Sequence, residues 1–276
     1  MKTCLKDLLL NVYAVQKGAS KNAVDTDKDI VTACDLAISE TIREEVLNWK
    51  FPLQIVTEEY DKANKNCETP EYYVFVDELD GTDNAFRAID VLPSVTLIQI
   101  ARAAQCEVKF KDFVLVGAVE HSSGTVYITE KDAGIQKYEI KNLEIAYKLE
   151  EVQIQPRHTK QSVVITDVYS MMQETEILME IAKRYQTKDF GASAATYLWV
   201  AEGLFEAYAS SHKKGHELPL LYLMCREAGV KMTDFNGKVY DEVAYDFNST
   251  RYQVIAGIES VHEVLVSALK AYAKEM

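Results

Sequence analysis

Asp77 and Asp80 stand three residues apart, with Leu79 between them and Gly81-Thr82 directly after. If the preceding segment ends as a strand, a turn there brings both carboxylates and the Leu79 carbonyl to one side. Three hard oxygen donors so placed suit Mg²⁺ or Mn²⁺. The Thr82 hydroxyl is positioned to orient a water, and the N–H groups of Gly81 and Thr82 to cradle a phosphate oxygen. An ordinary acidic turn at a strand end has the same composition, and local sequence leaves both readings open. Phosphatases of the haloacid dehalogenase type offer a third pattern, a strand ending in Asp-x-Asp-Gly-Thr whose first Asp is a covalent nucleophile. Here the spacing is Asp-x-x-Asp-Gly-Thr, and the extra residue turns the first carboxylate toward a different face.

Other residues are candidates to join this point. Glu58-Glu59 follow a short apolar run, where a carboxylate can ligate a cation or accept a proton from water, or can be surface charge. Asp29 and Asp35 flank Ile30-Val31-Thr32; Asp35 can hold a cation-bound water or simply favour the first turn of a helix. Glu217 stands at the start of a helical segment, where a carboxylate also answers the helix dipole. His212 and His216 have i, i+4 spacing, but no third histidine or nearby cysteine completes a zinc set, so they read as exposed or supporting. The small-residue run from Gly191 to Ala195 permits close packing or points N–H groups at an anion. Trp49 and Trp199 read as core.

Positioning these groups falls to the elements around them. Leu5, Leu8, Leu9, Val12 and Tyr13 recur at helical spacing, and a second helix over 32–49 carries Ile38, Ile42, Val46 and Trp49 on one face. Strands are expected at 53–57, 72–77, 95–100, 113–119 and 124–129, the last two joined at Ser122-Ser123-Gly124. Residues 18–29 and 61–71 read as loops. The weakly patterned, charged segment 141–160 marks a boundary, dividing the chain into halves 1–145 and 146–276. The second half alternates: strand 162–166, helix 171–185, strand 187–190, helix 191–201, strand 204–209, helix 215–228 with Pro219 in its first turn, strands 230–233 and 252–256, helix 260–274. That alternation is the mark of a layered α/β unit.

Composition narrows the function. A chain of 276 residues buries a sizeable core. Its net charge of −13 repels nucleic acid and anionic membranes. The excess acid serves solubility or sits near divalent cations. Five cysteines, odd in number and with no C-x-x-C pair, argue against a disulfide framework and a structural zinc, and fit free thiols in a reducing cytoplasm. No apolar run approaches a membrane span of about 18 residues, and the N-terminus lacks a leader pattern, so a cytoplasmic protein is expected.

In this order the pieces resemble the inositol monophosphatase superfamily of Mg²⁺-dependent, lithium-sensitive phosphatases. Asp29-Ile30-Val31-Thr32 with Asp35 resembles its D-x-V-T-x-x-D segment, Thr57-Glu58-Glu59 its G-E-E, and the stretch from Asp77 to Asn84 its D-P-I-D-G-T-x-N. The run from Gly191 resembles G-S-A-A; Glu227-Ala228-Gly229, Thr233-Asp234 and Gly237 resemble the closing E-A-G-G…D-x-x-G. The resemblance implies a five-layered αβαβα sandwich, as in inositol monophosphatase and fructose-1,6-bisphosphatase, with the site between two halves and a homodimeric assembly. It implies Mg²⁺, with Mn²⁺ as an alternative, held by Glu58, Asp77, the Leu79 carbonyl, Asp80 and Glu217. Thr82 with Glu58 would orient the attacking water, Asp35 would reach a cation through water, and the N–H groups of Gly81, Thr82, Ala194 and Ala195 would take the phosphate.

Three positions depart from the family pattern. His216-Glu217 replaces Trp-Asp, Glu78 replaces proline and adds negative charge, and Ser210 stands near the place of the inositol-binding Glu, followed by Lys213 and Lys214. The reading is a phosphomonoesterase for a small phosphorylated metabolite, with Ser210 and Lys213 at the substrate. Alternatives are a substrate with two phosphate groups (fructose 1,6-bisphosphate, 3′-phosphoadenosine 5′-phosphate or NADP) and a relative that binds such ligands without turnover.

Overall fold

A computed structural model of the chain describes residues 1–19, 23–24, 31–58, 64–87, 91–103, 107–143, 146–152, 163–166, 174–249 and 252–273. Asp29, Ile30 and Glu59, named above, lie outside the described residues, as does one of the five cysteines, Cys106. Helices α1 (Lys2–Gly18) and α2 (Ala33–Leu47) flank a short hairpin of β1 (Ala23–Val24) and β2 (Val31–Thr32). An eight-stranded sheet follows. Its strands are β3 (Leu53–Thr57), β4 (Asn64–Lys65), β5 (Tyr72–Asp80), β6 (Val95–Arg102), β7 (Phe113–Glu120), β8 (Thr125–Glu130), β9 (Gly134–Leu143) and β10 (Ala146–Val152). Their order is β10-β9-β8-β7-β6-β5-β3-β4, antiparallel except where β3 runs parallel to β5. A short helix α3 (Thr82–Phe86) leaves the end of β5.

The second sheet has five strands in the order β12-β11-β13-β15-β14: β11 (Val163–Thr166), β12 (Gln186–Lys188), β13 (Ala207–Lys213), β14 (Lys231–Thr233) and β15 (Tyr252–Gly257). Its helices are α4 (Thr175–Ala182), α5 (Ser193–Ala201), α6 (Leu218–Ala228) and α7 (Glu259–Leu269).

Burial fixes the stacking. Leu5, Leu8 and Leu9 of α1 and Ile38 and Ile42 of α2 pack on Ile98, Ile100, Val126 and Ile128, one face of the large sheet. The opposite face, with Val95, Leu97, Val116 and Ala118, meets α5 and α6, and these in turn meet Tyr208, Val254 and Ala256 of the second sheet. The outer face of that sheet, Val164, Ala209 and Ile255, is covered by α4 and α7 through Ile177, Ile181, Val261 and Leu265. The result is a five-layered αβαβα sandwich. The middle layer explains the sequence of α6: every residue from Leu218 to Cys225 is buried, because a helix between two sheets has no polar face to keep.

Three expectations are corrected. Within 141–160, residues 141–143 and 146–152 are strand rather than a weakly patterned stretch: β10 pairs antiparallel with β9, so the large sheet runs on to Val152. Strand β13 extends to Lys213 instead of ending at Ala209, because Ser210 and Lys213 continue the pairing with β15 across a bulge. Helix α6 begins at Leu218 rather than Gly215, with Glu217 as its N-cap residue.

Gly215 makes the intervening turn possible. A Cβ there would lie 2.1 Å from the Asp246 carbonyl oxygen and 2.7 Å from that of Phe247, both backbone atoms that cannot move aside cheaply. Gly215→Ala should therefore lower stability by about 1–3 kcal/mol, read as a fall of several degrees in the melting temperature. Unchanged melting would contradict the close approach at this turn.

Candidate active site

Asp77 and Asp80 are an odd number of residues apart, so a regular strand would send them to opposite faces. Strand β5 is not regular there. Asp77 pairs with Leu97 and Asp80 with Val95, which leaves one extra residue on β5, a bulge. Val74 and Val76 face the α1–α2 layer, and Leu79 packs there too. Glu78 turns to the same layer, where its carboxylate accepts a hydrogen bond from Ser39 Oγ at 2.6 Å. The bulge returns Asp80 to the side of Asp77. The charge that Glu78 adds thus lies behind the strand, not in front of it.

Gly81 closes the strand at φ 83°, in the left-handed region. A Cβ there would stand 2.8 Å from the Pro93 carbonyl oxygen and 2.9 Å from Ala192 Cβ. The turn sets the Thr82 hydroxyl 2.7 Å from the Leu79 carbonyl and 3.3 Å from Asp35 Oδ1. Asp35 is buried in the first turn of α2.

Three further elements converge on this strand end. The parallel register of β3 and β5 sets Thr57 opposite Val76, so Glu58 emerges beside Asp77. The turn before α6 brings His216 and Glu217, and buried Gln99 of β6 clamps it. Gln99 Nε2 donates to the His216 carbonyl at 2.5 Å, and its Oε1 accepts the Leu220 N–H at 2.8 Å. Two triplets result, sharing Asp77: Glu58, Asp77 and His216, and Asp77, Asp80 and Glu217. Within each, one potential ligand atom per residue lies within 4.8 Å of the others.

Two lysines and a histidine already face these acids. Lys213, 3 % exposed, places Nζ 3.1 Å from Glu217 and 2.5 Å from Ser193 Oγ. His216 Nδ1 is 3.2 Å from Glu58 Oε2, and Lys214 Nζ is 3.6 Å from Glu58 Oε1. Asp80 Oδ2 accepts the Ala194 N–H at 2.7 Å.

The acids respond to this surrounding in different ways. Burial, and then the charges of Glu58, Asp80, Glu217 and Glu78, push the Asp77 carboxyl well above its ordinary value. Burial and the Glu217 charge raise Asp80 to about 7, against the pull of Lys213 and the Ala194 N–H. Glu58 goes the other way: burial opposes its ionisation, but the hydrogen bond and charge of His216 and the charge of Lys214 outweigh it. The crowded, buried carboxyls of Asp77 and Asp80, which resist ionisation, fit a divalent cation, whose charge would relieve the repulsion.

Several expected residues lie elsewhere. Ser210 is wholly buried on β13, and its hydroxyl has no hydrogen-bond partner among the described residues, so it presents no surface to a substrate. Lys213 faces Glu217 rather than open solvent. Ala195 is buried within α5, and the Ala194 N–H is engaged by Asp80. His212 and His216 part company: His212 lies 3.7 Å from Glu174, His216 beside Glu58. The late motif is scaffold. Glu227 accepts the N–H groups of Asp132 and Gly134, and Asp234 those of Asn236 and Lys238. Gln99 is the residue that sequence reasoning missed at the site, and His216, read there as exposed or supporting, joins the cluster itself. A lone glutamine within the apolar run of β6 was the signal for the first.

Comparison with known proteins agrees with this architecture. Residues 5–274 match the sequence pattern of the inositol monophosphatase family. A curated relative, the bifunctional NADP phosphatase/NAD kinase of Methanococcus maripaludis, is 25% identical over 226 residues, covering 77% of this chain. The match spans 38% of the length of that relative. Among solved structures, extragenic suppressor protein suhB from Bartonella henselae superposes with a TM-score of 0.75 at 18% identity, covering 98% of each chain. A dual specific IMPase/NADP phosphatase bound with D-inositol-1-phosphate gives 0.71 at 16% identity, covering 98% of this chain and 94% of that one.

The raised carboxyls have a consequence for stability. In chelator, the folded state holds more protons than the unfolded chain between about pH 4 and 7, since unfolded carboxylates ionise at ordinary values. The contribution of Asp77 and Asp80 to stability therefore falls as pH rises through that window. A bound divalent cation cancels the loss. The melting-temperature increase on adding millimolar Mg²⁺ or Mn²⁺ should accordingly be several degrees larger at pH 7.5 than at pH 5. A cation-induced shift that is flat with pH would speak against this electrostatic account.

Proposed function

We propose that this chain, which belongs to the inositol monophosphatase family, is a divalent-cation-dependent phosphomonoesterase acting on a small phosphorylated metabolite. The observation that carries the reading is the pair of carboxylate-rich triplets sharing Asp77 at the end of β5. Glu58, Asp77, Asp80, Glu217 and the Leu79 carbonyl are the groups that would hold Mg²⁺ or Mn²⁺. When bound, such cations clamp phosphoryl oxygens, acidify a water and stabilise the leaving oxygen.

The chain's own residues supply the rest. Thr82 donates its single hydroxyl hydrogen to the Leu79 carbonyl. Its oxygen lone pairs then face outward to accept from a water and fix its direction. Glu58, whose carboxyl is held below its ordinary value, is ionised at neutral pH and takes the proton that the water loses on attack. Asp35 Oδ1, 3.3 Å from the Thr82 hydroxyl, is the alternative acceptor for its hydrogen. The N–H groups of Gly81 and Thr82, at the first turn of α3, are assigned to the phosphate. As the water oxygen bonds to phosphorus, the ester P–O bond breaks and the leaving oxygen takes up a proton, giving inorganic phosphate and an alcohol. No acyl or phosphoryl intermediate on the protein is required.

A second reading concerns the substrate. Lys214 lies beside Glu58 with 48 % of its side chain exposed, a cation at the mouth of the site. It suits a metabolite with a second phosphate, and NADP is the substrate class that the name of the Methanococcus relative suggests.

Asp80→Asn should reduce metal-dependent phosphate release from a panel of monoesters by about 10²-fold or more. A wild-type panel that stays silent at millimolar Mg²⁺ and Mn²⁺ would favour a relative that binds without turnover. Lys214→Ala should raise KM for bisphosphorylated substrates about tenfold, as loss of one charge-assisted phosphate contact does, and leave simple monoesters within about twofold. Equal effects on both classes would remove Lys214 from second-phosphate recognition.

A further inference from the structure

We infer that the triplet of Glu58, Asp77 and His216 is a mixed nitrogen–oxygen cation site, in which the His216 imidazole is a ligand and biases the site toward Mn²⁺ and other transition metals over Mg²⁺. This rests on the reading of that cluster as a cation site. A ring nitrogen of His216 lies within 4.8 Å of the carboxylate oxygens of both Glu58 and Asp77. The position is built rather than incidental. The imidazole stacks on Phe247, with centroids 4.3 Å apart and planes 25° from parallel. Only 10 % of the side chain is exposed. Its backbone carbonyl is fixed by Gln99, itself wholly buried. Phe247 in turn packs on Phe75, two residues before Asp77 and on the same face of β5. One aromatic stack therefore sets the distance between the imidazole and the carboxylate.

The chemistry of the donor decides the preference. A carboxylate-and-carbonyl set suits Mg²⁺, which demands oxygen and keeps several waters. An imidazole is a borderline donor that raises affinity along the series from Mn²⁺ upward far more than it does for Mg²⁺. The family pattern has tryptophan at this position, and an indole N–H is a donor only and binds no cation. The change to histidine thus adds a ligand rather than replacing one.

The test uses the full chain, stripped with chelator and titrated with Mn²⁺ and with Mg²⁺ by calorimetry, followed by pulsed electron paramagnetic resonance of the Mn²⁺ complex. The expected wild-type spectrum carries a ¹⁴N coupling from a directly bound imidazole. In His216→Gln that coupling disappears, and the ratio of Mn²⁺ to Mg²⁺ affinity falls about tenfold or more, the usual scale for losing a group at a metal centre. Wild-type Mn²⁺ bound without nitrogen coupling would overturn the inference while leaving the cation site standing, with His216 reduced to holding Glu58. An unchanged affinity ratio in His216→Gln would do the same. Failure of both cations to bind wild type at millimolar concentration would instead sink the underlying reading, and this inference with it. The wild-type spectrum needs no variant, so a poorly folding His216→Gln does not obscure the result.

Discussion

Four carboxylates brought together at the end of one strand are the constraint around which the rest is arranged. Glu58, Asp77, Asp80 and Glu217 come from three separate regions of the chain, and Asp77 and Glu217 are almost wholly buried. Removing one carboxylate from water costs several kcal/mol even after relaxation, and like neighbours add to that. Such a cluster persists only if protons, internal cations or bound cations answer it. Two of these are visible, the raised carboxyl of Asp77 and the ammonium of Lys213 on Glu217, and the two triplets could hold an ion.

The sandwich exists to make that crowding possible. A bulge puts Asp77 and Asp80 on one face, and a parallel neighbour aligns Glu58 with them. The second half delivers His216 and Glu217 through a turn that only glycine can make, held by a glutamine reaching across from β6. The contact between the halves is apolar over most of its core, with polar links at the site and also where Lys137 meets Glu202 and where Glu227 accepts the N–H groups of Asp132 and Gly134. Helix α6, buried along its first eight residues, carries Glu217 at its start, so the carboxylate is anchored to an element enclosed between the two sheets.

What could be read from sequence follows from what is local. Helices α1 and α2 announced themselves by Leu5, Leu8, Leu9, Ile38 and Ile42, because one buried face imposes a helical period. The motif from Asp77 to Thr82 was legible because strand, acid and glycine turn are adjacent in the chain. The β9–β10 hairpin was not, since lysines and glutamates along its strands hide the apolar alternation that identifies a sheet. Nor was the end of β13: Ser210 and Lys213 look like loop residues, and only the second sheet and Glu217, contacts distant or unpatterned in sequence, bury them. His216 read as exposed or supporting for the same reason. Its partners Glu58 and Phe247 lie on either side of it by more than a hundred and by thirty-one positions.

The two triplets are not equivalent, and the difference has a physical origin. In the second, the Lys213 ammonium donates to Glu217 Oε1 and lies 3.1 Å from its Oε2, a fixed positive charge beside the triplet, and Lys213 is too buried to swing into solvent at little cost. In the first, the counter-charge is an imidazole, which as a neutral base turns from a competitor into a ligand, and Glu58 keeps 30 % of its side chain open to solvent. A cation arriving from water therefore meets an open carboxylate and a potential donor on one side of Asp77, and a fixed positive charge on the other. The asymmetry follows from Lys213 and His216 lying three residues apart, at the end of β13 and just before α6, with Asp77 between the acids they serve.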